Sequence, residues 1–262
     1  MTTIPHTRTG PVHLDLTLAL GAVEVIVDDV DTAVVQLWPE QPGDETALDL
    51  IARAEFTSRA NEFAVRLPKM AGGGSTTIVR NGHSVSINTG TVSVGNVVIG
   101  NVRGVTVING QVISGNGTTV ITTGGGVRAV ATLPKGSSLT VDAGAAPVTT
   151  RGHLQSIRFA GSSGALRADS VGRVHARTQS GDIDVRAMDN GMLKSMSGDI
   201  TVEGLASAAS ISTMSGNIQV IAGSGAEVDA DSMSGNVIVT GDPAQVSARS
   251  MSGRVRAPKA VR

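Results

Sequence analysis

Apolar and polar residues alternate with period two at the start of the chain: Val12, Leu14, Leu16 and Leu18, then Val23, Val25 and Val27, then Val35, Leu37 and Trp38. Such alternation predicts strands with one buried face. Pro39 to Gly43 breaks the run. Asp44 is then placed to cap a short helix reaching about Glu55, with Leu48 and Ile51, joined by Ala47 and Ala54, on its apolar face. Phe56, Phe63, Val65 and Leu67 resume the alternation, so residues 1–70 read as a strand-rich N-terminal cap containing one helix.

Further along, a Ser-Gly pair recurs at Ser163, Ser180, Ser197, Ser215, Ser234 and Ser252, at spacings of 17, 17, 18, 19 and 18 residues. A fixed period of this length is the signature of stacked units, each too thin to bury a core alone. Three residues after each Ser stands Leu166, Ile183, Ile200, Ile218, Val237 or Val255, and five after it Ala168, Val185, Val202, Val220, Val239 or Ala257. These predict two apolar columns inside a coil. Counting back by twos gives Thr178, Ser195, Thr213, Ser232 and Ser250, preceded by Ala176, Leu193, Ile211, Ala230 and Ala248. That is a second inward set of small residues, with the Gly after each Ser expected to absorb the turn. Residues 139–148 fit the template more weakly, so the solenoid repeats are assigned to residues 128–262. The resulting fold class is all-β, a parallel β-solenoid behind a capped end.

Between cap and repeats, residues 71–127 carry only Arg80 and Arg103 as charges and are rich in Gly, Val, Asn and Thr. Turn signals at Asn81-Gly82, Asn109-Gly110 and Asn116-Gly117 separate runs such as Val85 to Ile87, Val92 to Val94 and Val105 to Val107. The segment reads either as irregular extra coils or as long hairpins. Exposed, so neutral a stretch would favour strand-to-strand association.

The units Ser180-Gly-Asp-Ile-Asp-Val185, Ser197-Gly-Asp-Ile-Thr-Val202 and Ser215-Gly-Asn-Ile-Gln-Val220, with Leu133-Pro-Lys-Gly-Ser-Ser-Leu139 ahead of them, resemble the bacterial β-strand-repeat family of adhesin-like proteins of unknown function. The similarity covers the repeats and extends to the strand, helix, strand layout of residues 12–68. It implies a right-handed parallel β-solenoid and supplies no catalytic residues.

Composition agrees with a thin core: three Phe, one Trp and no Tyr in 262 residues, beside 33 Gly, many of them expected in turns that need positive φ. No cysteine is present, so neither a disulfide nor a thiolate metal site can form. The net charge is −1, and no segment is basic or aromatic enough to predict nucleic-acid binding. Asp15 interrupts the only apolar stretch near the start, so neither a signal peptide nor a membrane span is predicted. A cytoplasmic location is the expectation, and a longer precursor would allow the cell surface.

The five histidines, at 6, 13, 83, 153 and 175, have no metal-ligand spacing and are read as surface or structural groups. No phosphate-binding loop, nucleophile elbow or cofactor motif is found, and Gly124 to Gly126 is read as a turn. The column after each Ser-Gly holds Asp182, Asp199, Asn217, Asn236 and Arg254. Carboxylates about 4.8 Å apart on adjacent coils could hold a cation or act as an acid/base pair, but Asp and Asn also suit turns that hydrogen-bond the backbone, which is the preferred reading.

The residue before each Ser is Gln179, Met196, Met214, Met233 or Met251. If the Ser and the residues two and four before it face inward, the methionines form an outward stripe of flexible apolar side chains. That makes Met196, Met214, Met233 and Met251 the candidate partner-binding residues. Two other readings stay open: a pleat reversed at the corner, with Met in the core and Ser outside, and cover by residues 71–127. Arg254, Arg256, Pro258, Lys259 and Arg262 crowd the last coil, where they would discourage end-to-end stacking or form a solvated tail. The leading functional reading is a non-catalytic interaction or scaffold protein, with a macromolecular partner that is expected to be protein. Its alternatives are a self-associating, fibre-forming homo-oligomer and a carbohydrate-active solenoid enzyme.

Overall fold

The computed structural model describes residues 2–68, 75–80, 83–88, 97–102, 105–108, 111–114, 117–121 and 125–258, with side-chain positions for 2–68 and 125–258. Strands β1 (Thr2–Thr9), β2 (His13–Thr17), β3 (Gly21–Asp28) and β4 (Thr32–Pro39) precede helix α1 (Glu45–Ala52), and β5 (Glu55–Arg59) and β6 (Glu62–Arg66) follow it. Their alternating residues Leu14, Leu16, Val25, Val35, Leu37, Phe63 and Val65 are fully buried.

The Asp44 carboxylate accepts the Ala47 N–H at 3.0 Å and caps α1 as expected. The helix stops at Ala52 rather than near Glu55, because Glu55 already pairs with Arg66 in the β5–β6 ladder. Its buried face is Ala47, Leu50 and Ile51, with Ala54 packed behind them. Leu48, assigned to that face from the sequence, points to solvent. Positions 47, 50, 51 and 54 form one i, i+3, i+4, i+7 stripe, and 48 lies off it.

In the neutral segment, β7 (Ser75–Arg80) pairs with β8 (His83–Asn88), β9 (Val97–Val102) with β12 (Gly117–Ile121), and β10 (Val105–Ile108) with β11 (Gln111–Ser114). All three pairs are antiparallel and form two-stranded sheets of their own, so among the described residues this segment follows the hairpin reading rather than adding coils. The runs at 85–87 and 105–107 lie in β8 and β10. The run at 92–94, the pairs 81–82 and 109–110, Asn116, Gly124 and the side chain of His83 lie outside the described residues.

The repeats follow as β13 (Val127–Pro134), β14 (Ser138–Gly144), β15 (Val148–Gly161), β16 (Leu166–Thr178), β17 (Ile183–Ser195), β18 (Ile200–Thr213), β19 (Ile218–Ala222), β20 (Glu227–Ser232), β21 (Val237–Gly241), β22 (Gln245–Ser250) and β23 (Val255–Arg256). Together they build a parallel β-solenoid of about seven turns. Two walls enclose the core. The first runs β6, β2, β14, the later halves of β15 to β18, then β20 and β22. The second runs β4, β13, β3, the earlier halves of β15 to β18, then β19, β21 and β23. The N-terminal strands are thus hydrogen-bonded directly into both walls, and β5 and β1 add antiparallel to their outer edges.

Equivalent residues stack in register: Leu166, Ile183, Ile200, Ile218 and Val237 form one column, and Ala168, Val185, Val202, Val220 and Val239 a second, all buried. Val255 and Ala257, the last members of the two columns, are exposed, Val255 at 44%, with no coil beyond them among the described residues. The column Thr178, Ser195, Thr213 and Ser232 is inward as predicted, and these are among the few buried polar side chains of the described residues.

At the repeated corner the structure departs from the sequence reading in two ways. The Ser of each Ser-Gly pair is exposed, and the Gly after it is the inward residue. Nor do these glycines supply a left-handed turn, since none of Gly181, Gly198, Gly216, Gly235 or Gly253 has positive φ. Each lies against the backbone of the coil before it: a Cβ on Gly198 would sit 2.0 Å from the Gly181 carbonyl oxygen, and one on Gly216 would sit 2.0 Å from that of Gly198. Stacking distance, not backbone freedom, demands glycine here.

Candidate interaction face

Each corner is locked by its inward hydroxyl. Ser195 Oγ accepts the Gly198 N–H at 2.8 Å, and Thr178, Thr213, Ser232 and Ser250 accept the equivalent N–H groups at 2.8–3.1 Å. Four of them also donate to a carbonyl of the coil before: Thr178 to Ser162, Thr213 to Gly198, Ser232 to Gly216 and Ser250 to Gly235. A buried hydroxyl with both capacities used costs little and fixes the geometry around it. The sequence reading valued these residues for small size; the readable signal of their role is that all five positions carry a hydroxyl.

The neighbouring column is equally committed to the backbone. Asp182 Oδ1 accepts the Asp199 N–H at 2.9 Å, Asp199 Oδ1 the Asn217 N–H at 2.7 Å, Asn217 Oδ1 the Asn236 N–H at 3.0 Å and Asn236 Oδ1 the Arg254 N–H at 2.9 Å. Asn217 and Asn236 add side-chain amide bonds to the residue before them at 3.2 Å. This is the predicted use of Asp and Asn in turns, extended into a ladder joining coil to coil. Among the described residues no group of three or more His, Asp or Glu side chains is arranged to hold a metal ion.

Three of the histidines hold structural contacts. His6 is buried against Phe63, with Ser58 Oγ at 2.7 Å from Nδ1 and the Ala60 carbonyl at 3.0 Å from Nε2. His13 bonds Thr140 and His153 bonds Ser170 on the adjoining strands.

The four corner methionines lie outside. Met196 is 50% exposed, Met214 and Met233 are 46% and Met251 is 79%. Outward Met combined with outward Ser means that the chain leaves strict alternation at the corner, so neither sequence alternative described it fully. The described residues do not bear on cover by residues 71–127.

Counting outward positions back from each Ser-Gly extends the methionine column into a complete face of the first wall. Its rows, read across coils, are Arg173, Asn190, Ala208, Glu227 and Gln245; then His175, Met192, Ser210, Asp229 and Ser247; then Arg177, Lys194, Ser212, Asp231 and Arg249. Met192 is exposed as well, and the sequence reading missed it. The middle of the face is a shallow depression of about 670 Å³ lined by Arg173, His175, Asn190, Met192, Ser210 and Asp229. Burial lowers the His175 pKa below the usual imidazole value, and the cations Arg177, Arg158 and Lys194 push it the same way.

Charge on this face is sorted by coil. Arg173 and Arg177 occupy β16 on either side of His175, Lys194 follows on β17, Glu227, Asp229 and Asp231 occupy β20, and Arg249 stands on β22. None of them takes part in an ion pair among the described residues. The second wall behaves differently: Arg167 meets Asp184 at 3.5 Å on the adjacent coil, and Arg186 meets Asp169 at 2.7 Å.

The fold agrees with that of a putative adhesin from Bacteroides fragilis, to which this chain is 14% identical with a TM-score of 0.58, over 97% of this chain and 96% of that one. Looser likeness is found to a putative lipid binding protein from Parabacteroides distasonis, at 13% identity and TM-score 0.43 over 98% and 96% of the two chains. A putative cell adhesion protein from Clostridium sporogenes follows at 7% identity and TM-score 0.25, over 97% and 99%. Among curated proteins none matches the chain. The family model described as Toastrack DUF4097 matches residues 54–260, most of the chain and every Ser-Gly corner, and the chain therefore belongs to the Toastrack DUF4097 family.

Proposed function

We propose that the protein is a non-catalytic, adhesin-like interaction protein that holds another macromolecule on the outer face of its first wall, with Met196, Met214, Met233 and Met251 as contact residues. One observation carries the reading: four flexible apolar side chains stand about half or more exposed in a single column on a hydrogen-bonded wall. Methionines spaced at about 4.8 Å form a ridge able to adapt to a partner, while the stacked coils keep it straight. The adhesin-like neighbour supports a binding role for this architecture. The carbohydrate-active alternative is weakened by the commitment of Asp182 and Asp199 to backbone N–H groups of the next coil.

The test replaces Met196, Met214 and Met233 with Glu. The triple variant should keep the wild-type circular dichroism and melting temperature to within a few degrees, because exposed positions tolerate substitution. It should also lose at least tenfold in capture of its macromolecular partner from a lysate of the source organism. Undiminished capture by the folded variant would remove the ridge from the binding site.

A further inference from the structure

We propose that the partner on this face is a second copy of the same chain, in a symmetric dimer whose two-fold axis lies parallel to the strands between β17 and β18. The inference rests on the reading that the first wall binds a macromolecule and names that macromolecule.

The argument is one of register and charge. A two-fold axis along the strands, in the plane between two apposed faces, reverses the order of coils and keeps each residue's position along its strand. Placed between β17 and β18, it exchanges those two strands, brings β16 of one copy over β20 of the other, and β15 over β22. Arg173 then faces Glu227, His175 faces Asp229 and Arg177 faces Asp231, three pairs that symmetry repeats. The remaining matches contain no like-charge clash: Arg158 faces Ser247, Ala160 faces Arg249, Lys194 faces Ser212 and Asn190 faces Ala208. In the same arrangement Met196 meets Met214, a contact that symmetry repeats, while Met233 faces Gln179 and Met192 faces Ser210.

Within one chain only Asp231 has an opposite charge on the adjacent strand, Arg249, while Arg173, Arg177, Glu227 and Asp229 have none. β16 and β20 are three coils apart, about 14 Å at the spacing of strands, beyond a Debye length of about 8 Å at physiological salt. Meanwhile Arg177 and Lys194 occupy adjacent coils, and Arg173 and Arg177 share one strand. The second wall avoids such crowding by placing opposite charges on neighbouring coils. A second copy supplies the missing counter-charges in the right order. Six coils by seven residues give a face of roughly 650 Å² per copy, so about 1,300 Å² in all, which exceeds the roughly 1,000 Å² of a specific interface.

Sedimentation equilibrium on the full chain tests this. Wild type should dimerise at tens of micromolar, and 0.5 M NaCl should weaken it at least tenfold. Arg173→Glu with Arg177→Glu makes both charged coils acidic, and Glu227→Lys with Asp231→Lys makes both basic. Each double variant should be monomeric alone, an equimolar mixture should restore a one-to-one dimer, and the quadruple swap should dimerise by itself. A monomeric wild type at several hundred micromolar, or dimers unaffected by either double variant, would overturn the proposal. So would binding of dextran sulfate by a wild type that stays monomeric, since the basic coil would then serve an acidic polymer. A monomer that still captures another macromolecule through the methionine ridge would sink the dimer and leave the broader binding role standing.

Discussion

At the scale of single residues, the molecule depends on two side chains per corner that do opposite things. Gly198 contributes by having no Cβ, since any Cβ would meet the Gly181 carbonyl oxygen at 2.0 Å. Ser195 contributes an oxygen that takes the N–H of that same glycine at 2.8 Å. Replacing Gly198 with Ala forces two coils apart and should destabilise by about 3 kcal/mol, the upper part of the range for overpacking. Ser195→Ala leaves a buried N–H without an acceptor and should cost about 1–3 kcal/mol. Urea titrations of the two variants measure both. A Gly198→Ala variant as stable as wild type would show that the corner does not need its close approach.

At the scale of an element, one coil is the interchangeable part. Among the described residues each repeat coil touches the coil before and the coil after, through matched columns of Ile, Val and hydroxyl residues and through the ladder from Asp182 to Arg254. Nearest-neighbour stacking makes stability an approximate sum over coils and interfaces. Removing residues 181–197, so that Ser180 joins Gly198, deletes one whole unit and recreates a Ser-Gly corner. The shortened chain should fold with unchanged strand content per residue and a smaller urea m-value, as less surface is exposed on unfolding. Removing nine residues instead would put inward columns outside and should abolish the cooperative transition. Circular dichroism of the two deletions against urea distinguishes these outcomes.

At the scale of the whole molecule, the two ends differ. The N-terminal end is covered by β1, β4, β5, β6 and α1, with Leu37 and Phe63 fully buried. At the other end the last described strands are β22 and β23, where Val255 is 44% exposed and Val246 and Ala248 are only partly buried. Arg254, Arg256 and Pro258 stand at this open edge, and charge with proline there opposes further strand pairing; Lys259 and Arg262 lie outside the described residues. Local stability follows the number of covering neighbours. Amide exchange should therefore be fastest in β22 and β23, slower in β19 to β21, and slowest in β16 to β18. Equal protection from β16 to β23 would mean that the open end is covered by something in solution.

Much of this was readable along the chain, for a physical reason. A solenoid is nearly one-dimensional, so its periods of 17 to 19 residues translate directly into columns, and the apolar rows at three and five residues beyond each Ser from Ser163 to Ser234 carry through from sequence to core. The turn role of Asp182, Asp199, Asn217 and Asn236 was legible in the same way. Three things depended on neighbours that the sequence does not place. Glycine at the corner is required by the carbonyl of the coil before it, a contact between residues 17 to 19 positions apart that no local conformational rule contains. Met and Ser both face outward because the chain breaks its alternation where the two walls meet. The paired sorting of Arg173, His175 and Arg177 against Glu227, Asp229 and Asp231 becomes a face only when strands β16 to β20 are laid side by side. Periodicity by itself determined the solenoid and its core columns; stacking distance and strand register, which exist only in the folded chain, decided what the corners require and which side chains share a surface.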